Sequence, residues 1–184
     1  MLFNGPAVFN RENRQIVESL ARVLTIRLRE VLREDMGAVY GVQVDGDLDS
    51  RPSGDYSFQI GFACAPENVD SLVKAVFSEI ESIQKNGVPE TYLQRVREQE
   101  RRERELALRE NRFWLDALEF YYSEGWNPRE ILSYDELIAL VTSDRLQQAA
   151  KDYFHEDRYL LGVLNPEKPA ATAVAPAAAA PGKS

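Results

Sequence analysis

Histidine and cysteine are almost absent from this chain of 184 residues: His155 is its one histidine and Cys64 its one cysteine. A zinc site built on two histidines of a single chain is thereby excluded, and so is an internal disulfide. His155-Glu156 begins like the metal-binding pattern H-E-x-x-H, but Asp157, Arg158 and Tyr159 follow and no second histidine exists. The inverted pattern H-x-x-E-H fails for the same reason. His155 reads instead as an end-of-helix residue beside exposed carbonyls. Cys64 falls on the apolar face of a strand pattern, where a thiol is inert. Long hydrophobic runs are also missing, and nothing approaches the roughly 20 apolar residues that cross a bilayer, so no membrane partner is expected. Met1-Leu2-Phe3-Asn4-Gly5 has neither the basic start nor the apolar core of a signal peptide. Basic residues are in deficit, 22 against 30 acidic, for a net charge of −8. Such a balance repels phosphate backbones, and no nucleic-acid partner is expected.

What is present is enough for one ordinary core, with 44% hydrophobic residues. From about Glu12 to Glu34, Ile16, Leu20, Val23, Leu24, Leu28, Val31 and Leu32 recur at helical spacing, predicting an amphipathic helix of about 35 Å that stops near Gly37. Two strands follow, with Tyr40, Val42 and Val44 on one face of the first. Along the second, Tyr56, Phe58, Ile60, Phe62 and Cys64 alternate with smaller or polar residues. Turn formers between them, Gly46 to Gly54, predict an antiparallel hairpin with a long loop. Pro66 and Asn68 open a second helix closed by Asn86-Gly87, and Pro89 opens a long third helix reaching Trp114 or beyond, with Gly125 to Pro128 as its break. Ser133 and Glu136 fit a capping box for a short helix, and Thr142 caps another running to about Phe154. Tyr159 to Leu164 reads as a closing strand. Helices and strands are segregated, so the fold class is α+β: a mainly antiparallel sheet with helices packed on one face. The Ala- and Pro-rich residues 168–184 are expected to form a disordered tail outside a single domain of residues 1–167. Met1 to Pro6 resembles the last residues of a strand with nothing before it, which predicts that the domain lacks its first strand or strands and was cut from something longer.

Three groups of residues could carry chemistry. Arg95 to Arg112 holds seven arginines and five glutamates, and Glu98–Arg102, Glu100–Arg104 and Glu105–Arg109 stand at i,i+4, the pattern of a solvated helix face. Phe113, Trp114, Tyr121, Tyr122 and Trp126 form an aromatic-rich stretch that reads as core or as a domain contact. The third group is Arg33 and Tyr40, seven positions apart across the glycine corner Gly37. There a guanidinium and a phenol could offer donors to a carbonyl or a developing oxyanion. Equally, Arg33 could complement a helix C-terminus and Tyr40 could be a strand-face aromatic.

The segment Leu32-Arg33-Glu34-Asp35-Met36-Gly37-Ala38-Val39-Tyr40-Gly41-Val42 resembles the Arg-x6-Tyr segment of the insulinase/pitrilysin zinc metallopeptidases, in their C-terminal, non-catalytic half. Similar passages follow in the same order: Phe62 to Leu72, Asn86 to Glu90 with the charged helix to Trp114, Val141 to Ala150, and the end at Leu164-Asn165-Pro166. The resemblance covers roughly residues 5–166. It implies half of a clamshell enclosing a peptide, partnered by an N-terminal catalytic half of the same protein that carries the zinc. No zinc motif lies in this chain, so it should bind no cofactor and be inactive alone. Tyr40 would hydrogen-bond the scissile carbonyl oxygen, and Arg33 a neighbouring carbonyl of the peptide or unfolded polypeptide substrate. Bacterial relatives with this pattern are commonly exported, which implies a periplasmic or otherwise exported location in a bacterium, with the cytoplasm as the alternative. The other reading is a catalytically dead family member, acting as a structural or partner-binding subunit.

Overall fold

The structure is a computed structural model that describes residues 1–165; the Ala/Pro-rich segment expected to be a tail lies outside the described residues. Three strands, β1 (Leu2–Pro6), β2 (Val39–Asp49) and β3 (Asp55–Cys64), form an antiparallel sheet in the order β1-β3-β2. Residues 2–6 pair with β3 along their whole length. Alternation along β3 buries Tyr56, Phe58 and Ile60 and leaves Phe62 and Cys64 half-buried. On β2, Val42, Val44 and Leu48 point into the core while Gln43, Asp45, Asp47 and Asp49 face outward. One face of the sheet is thus apolar, and the helices cover it, as the α+β pattern requires.

Helix α1 (Arg11–Leu28) crosses that face with Ile16, Leu20, Leu24 and Leu28 beneath it. Asn10 caps it, its side chain accepting from the Asn13 N–H at 2.7 Å. The helix continues as a π-helical turn, Arg29–Asp35, in which the Met36 N–H reaches back five residues to the Val31 carbonyl at 3.0 Å. Gly37, at φ 61°, then turns the chain into β2. Helix α2 (Val69–Asn86) follows a 3₁₀ turn at Pro66–Asn68 and buries Leu72, Val76, Ile80 and Ile83. Helices α3 (Glu90–Ala107), α4 (Asn111–Ser123) and α5 (Tyr134–Ala139) come next. Helix α6 (Ser143–Tyr153) packs against α1 and α2, with Thr142 accepting from the Arg145 N–H at its start. The Tyr56 hydroxyl donates to the Tyr153 carbonyl at 2.9 Å, and Phe154 lies edge-on to Phe3 at 5.0 Å, locking the end of α6 to the sheet.

Four sequence expectations are corrected. The long third helix is two: α3 ends at Leu108, whose carbonyl accepts the Trp114 indole N–H at 2.9 Å, and α4 starts anew. The Ser133 hydroxyl does not cap α5; it donates back to the Glu130 carbonyl, closing the 3₁₀ turn Pro128–Leu132. The closing strand shrinks to one bridge, Leu2 with Leu160. Finally, Tyr40 does not share a face with Val42 and Val44. The pairing with β3 slips between Val39 and Val42, and this irregularity turns Tyr40 outward while both valines stay buried.

Gly87 ends α2 at φ 72°, and a Cβ there would collide with the Ser143 hydroxyl, which accepts the Val88 N–H at 2.9 Å. Gly87→Ala should therefore lower unfolding free energy by about 2 kcal/mol or more, through backbone strain plus the displaced Ser143. Urea denaturation of the two proteins measures it.

Candidate functional site

Two neighbouring positions on the corner between the π-helical turn and β2 are anchored in the core, and each is followed by an outward-facing donor. Leu32 is fully buried and precedes Arg33; Val39 is buried and precedes Tyr40. Arg33 is exposed and Tyr40 is 93% exposed. Neither side chain makes a hydrogen bond or ion pair among the described residues, so all the guanidinium donors and the phenolic O–H are available. The corner itself is tied down. The Gly37 N–H donates to the Arg33 carbonyl and the Ala38 N–H to the Leu32 carbonyl, both at 3.2 Å. Glu30, in the π-helical turn, accepts the Tyr92 hydroxyl and lies 3.5 Å from the Arg95 guanidinium. A rigid base carrying two free donors at the open edge of a sheet can bind backbone carbonyls of an extended chain. His155 stays at a helix end, its Nε2 3.0 Å from the Asp152 carbonyl.

A second cluster lies between α1 and α3, and the sequence pattern misassigned it. Glu100 is not part of a solvated face: it is 2% exposed, on the same stripe as the buried Leu93 and Val96. Its carboxylate accepts from the Ser19 hydroxyl at 2.8 Å and the Gln15 amide at 3.1 Å, with Arg22 Nε at 3.5 Å. Burial pushes its pKa up to about 7, against the pull of Ser19 and Arg22, while Glu18 and Glu103 push the same way as burial. Arg104 also turns inward, donating to the Ile131 carbonyl and lying over the rings of Phe113 and Tyr134 at 4.4 and 4.8 Å. Burial likewise holds Tyr134 up at about 12, with Glu100 adding to it. Of the three i,i+4 pairs expected, Glu105–Arg109 forms, at 2.7 Å. Gln15 and Ser19 recur at i,i+4 among the apolar residues of α1, and that polar interruption opposite Glu100 was the available signal. The cluster floors a cleft of roughly 520 Å³ walled by Phe113, Phe120, Tyr121 and Trp126. Trp126 stacks on Phe9 at 5.3 Å, so this aromatic stretch packs largely on the domain itself, whereas Tyr122 is exposed.

Among the described residues, no three histidine, cysteine, aspartate or glutamate side chains gather to hold a metal ion. Residues 1–100 match the family model of the peptidase M16 inactive domain. A zinc protease PQQL-like protein of Arabidopsis thaliana is 30% identical over 124 residues, 64% of this chain and 12% of that protein. Among solved structures, the inactive peptidase domain from Bordetella parapertussis is similar at a TM-score of 0.72 and 18% identity, over 94% of this chain and 92% of that one. The periplasmic protease PqqL from Escherichia coli is similar at 0.71 and 18% identity, over 86% of this chain and 17% of that one. The chain thus spans a small fraction of the length of the Arabidopsis protein and of PqqL, and the structural likenesses establish the fold.

Because Glu100 titrates higher in the folded chain than its ordinary 4.5, the folded state holds the extra proton between those values. Its contribution to stability is complete below about pH 4.5 and is lost as pH rises through 7, a change on the order of 3 kcal/mol. Glu100→Gln should flatten that part of the stability–pH profile, so that the variant gains on the parent from pH 5 to pH 8. Urea midpoints across that range test the sign.

Proposed function

Since this chain belongs to the family of peptidase M16 inactive domains, we propose that it is the substrate-binding, non-catalytic part of a zinc-dependent metalloendopeptidase. Its partner is a catalytic half carrying the zinc, and its ligand is a peptide or unfolded polypeptide. The observation that carries the reading is the corner at Gly37, where Arg33 and Tyr40 follow buried anchors and, among the described residues, keep all their side-chain donors free. When the clamshell closes on a peptide, the Tyr40 hydroxyl donates to the scissile carbonyl oxygen as it becomes tetrahedral. The Arg33 guanidinium holds a neighbouring carbonyl and fixes the strand's register. The hydroxyl acts mainly in the transition state, where charge develops on oxygen, so it raises turnover more than affinity. Arg33 acts on ground state and transition state alike, and its loss raises KM.

In this reading the metal is held by the partner half, and this chain contributes donors to the substrate. The likeness to the periplasmic PqqL supports an exported location, and no helix among the described residues is long and apolar enough to cross a membrane.

In the assembled protease, with this domain joined to its catalytic half, Tyr40→Phe should lower kcat roughly a hundredfold or more with zinc content unchanged. Arg33→Ala should act chiefly on KM. Peptide hydrolysis together with metal analysis checks both. Undiminished turnover in Tyr40→Phe would reject the role of the hydroxyl and leave the structural, partner-binding subunit as the reading.

A further inference from the structure

The cleft between α1, α3 and α4 holds a cation that the described residues do not neutralise. Each carboxylate of its lining stands beside a guanidinium. Glu130 is 2.7 Å from Arg11, Glu18 is 3.0 Å from Arg14, and Asp116 is 2.8 Å from Arg112. Arg22 serves both Glu103 and Glu100, at 2.8 and 3.5 Å. Arg104, in the same lining, forms no ion pair among the described residues. Its Nη2 donates to the Ile131 carbonyl, and that is its one hydrogen bond there. Nε is buried with no acceptor, the one buried side-chain polar atom so placed among the described residues. Nη1 makes no hydrogen bond either and is not buried, so both of its N–H donors remain for an occupant of the cleft. Burial works against the charge of Arg104, and Arg11 adds repulsion. Around this cation the walls are apolar, with Phe113 against it at 4.4 Å and Phe120, Ala117 and Leu137 beyond. A volume of roughly 520 Å³ is that of a small-molecule site.

We propose that this cleft binds an aromatic carboxylate, its anionic end on Arg104 and its ring against Phe113 and Phe120. The chemistry follows from the lining. A half-buried guanidinium without a counter-ion gains most from a carboxylate, through charge-assisted hydrogen bonds that Nη1 is free to donate. A cationic ligand is disfavoured, because Arg11, Arg14 and Arg104 all face the space it would enter. A ligand with a second anionic group is disfavoured as well, since Glu18, Glu100 and Glu103 line the same cleft. An apolar ring is what the remaining walls accept, and it loses little on leaving water. The occupant also completes packing that the domain lacks, because α4 forms one side of the cleft and has no fully buried residue. The site shares no residue with the corner at Gly37, and its occupancy requires no catalytic half.

The probe is 3-phenylpropionate, titrated into the ¹⁵N-labelled full chain. The expected result is saturable shifts at the Trp126 indole N–H and at the amides of Ala117 and Phe120, with a dissociation constant below about 1 mM. The neutral amide 3-phenylpropanamide keeps the ring and loses the charge, and should bind at least roughly tenfold more weakly. Acetate, which has the charge and no ring, should do the same. Arg104→Gln should abolish binding. Since Arg104 also ties α3 to the Ile131 carbonyl, a second variant leaves it in place: Ala117→Leu fills the cleft from α4 and should abolish binding with the core untouched. A peptide ending in Gly-Gly-Phe separates two sources of the same chemistry. Tighter binding than 3-phenylpropionate identifies a polypeptide C-terminus, and weaker binding a free aromatic acid. Absence of saturable shifts at millimolar 3-phenylpropionate, equal binding of the amide, or undiminished binding by both variants overturns the proposal.

Discussion

The close approach of α1 to the sheet at Gly46 is the constraint on which the domain is built. A Cβ at Gly46 would sit 2.8 Å from the Phe58 ring and 3.0 Å from the Ala21 Cβ, so a glycine facing an alanine sets the distance between the helix and strand layers. With that distance fixed, Leu20, Leu24 and Leu28 can all lie fully buried on the hairpin. Each four-residue step along an α-helix overshoots a full turn by about 40°, so a straight α1 would carry Leu32 away from the sheet. The wider π-helical turn at Arg29–Asp35 counters that drift and keeps Leu32 in the core. The placement of Arg33 is a consequence of this packing: it is the residue after the last buried leucine of this helical stretch.

Interior polarity divides the helical layer into two regions. Where α2 and α6 meet the sheet, the contacts are hydrocarbon and aromatic, from Leu72 to Phe154. Where α3 meets α1, a carboxylate is buried with Gln15, Ser19 and Arg22 around it. A buried carboxylate is tolerated only with such partners, and each of them fixes a direction as well as an energy. They set the register of α3 on α1. Arg104, one turn further along, then ties α3 to the Pro128–Leu132 turn and to Tyr134. The cleft between these elements follows from that register, since α4 leaves α3 at Leu108 and has no fully buried residue of its own.

Most of the architecture was legible because it rests on periodicity. Leu72, Val76, Ile80 and Ile83 announce α2, and Tyr56, Phe58 and Ile60 announce β3, since only one face of each can reach the core. The failures share a cause. Leu160 to Leu164 has the composition of a strand, but a strand also needs a paired edge, and among the described residues this run bridges at one position, Leu160 with Leu2. Glu100 stands at an i,i+4 distance from Arg104, which in an exposed helix means an ion pair; here both side chains turn inward to other elements. Tyr40 has the parity of Val42 and Val44, and one slipped position in the pairing reverses its side.

By itself the sequence determined the α+β class, the order of the helices and the hairpin, the glycine turns at Gly37 and Gly87, and the absence of a two-histidine zinc site, because each depends on residue type and local spacing alone. The tertiary structure decided which way Tyr40 faces and that Glu100 is interior. Those depend on how one strand registers against another and which helix lies opposite, and neither relation is written in the spacing of neighbouring residues.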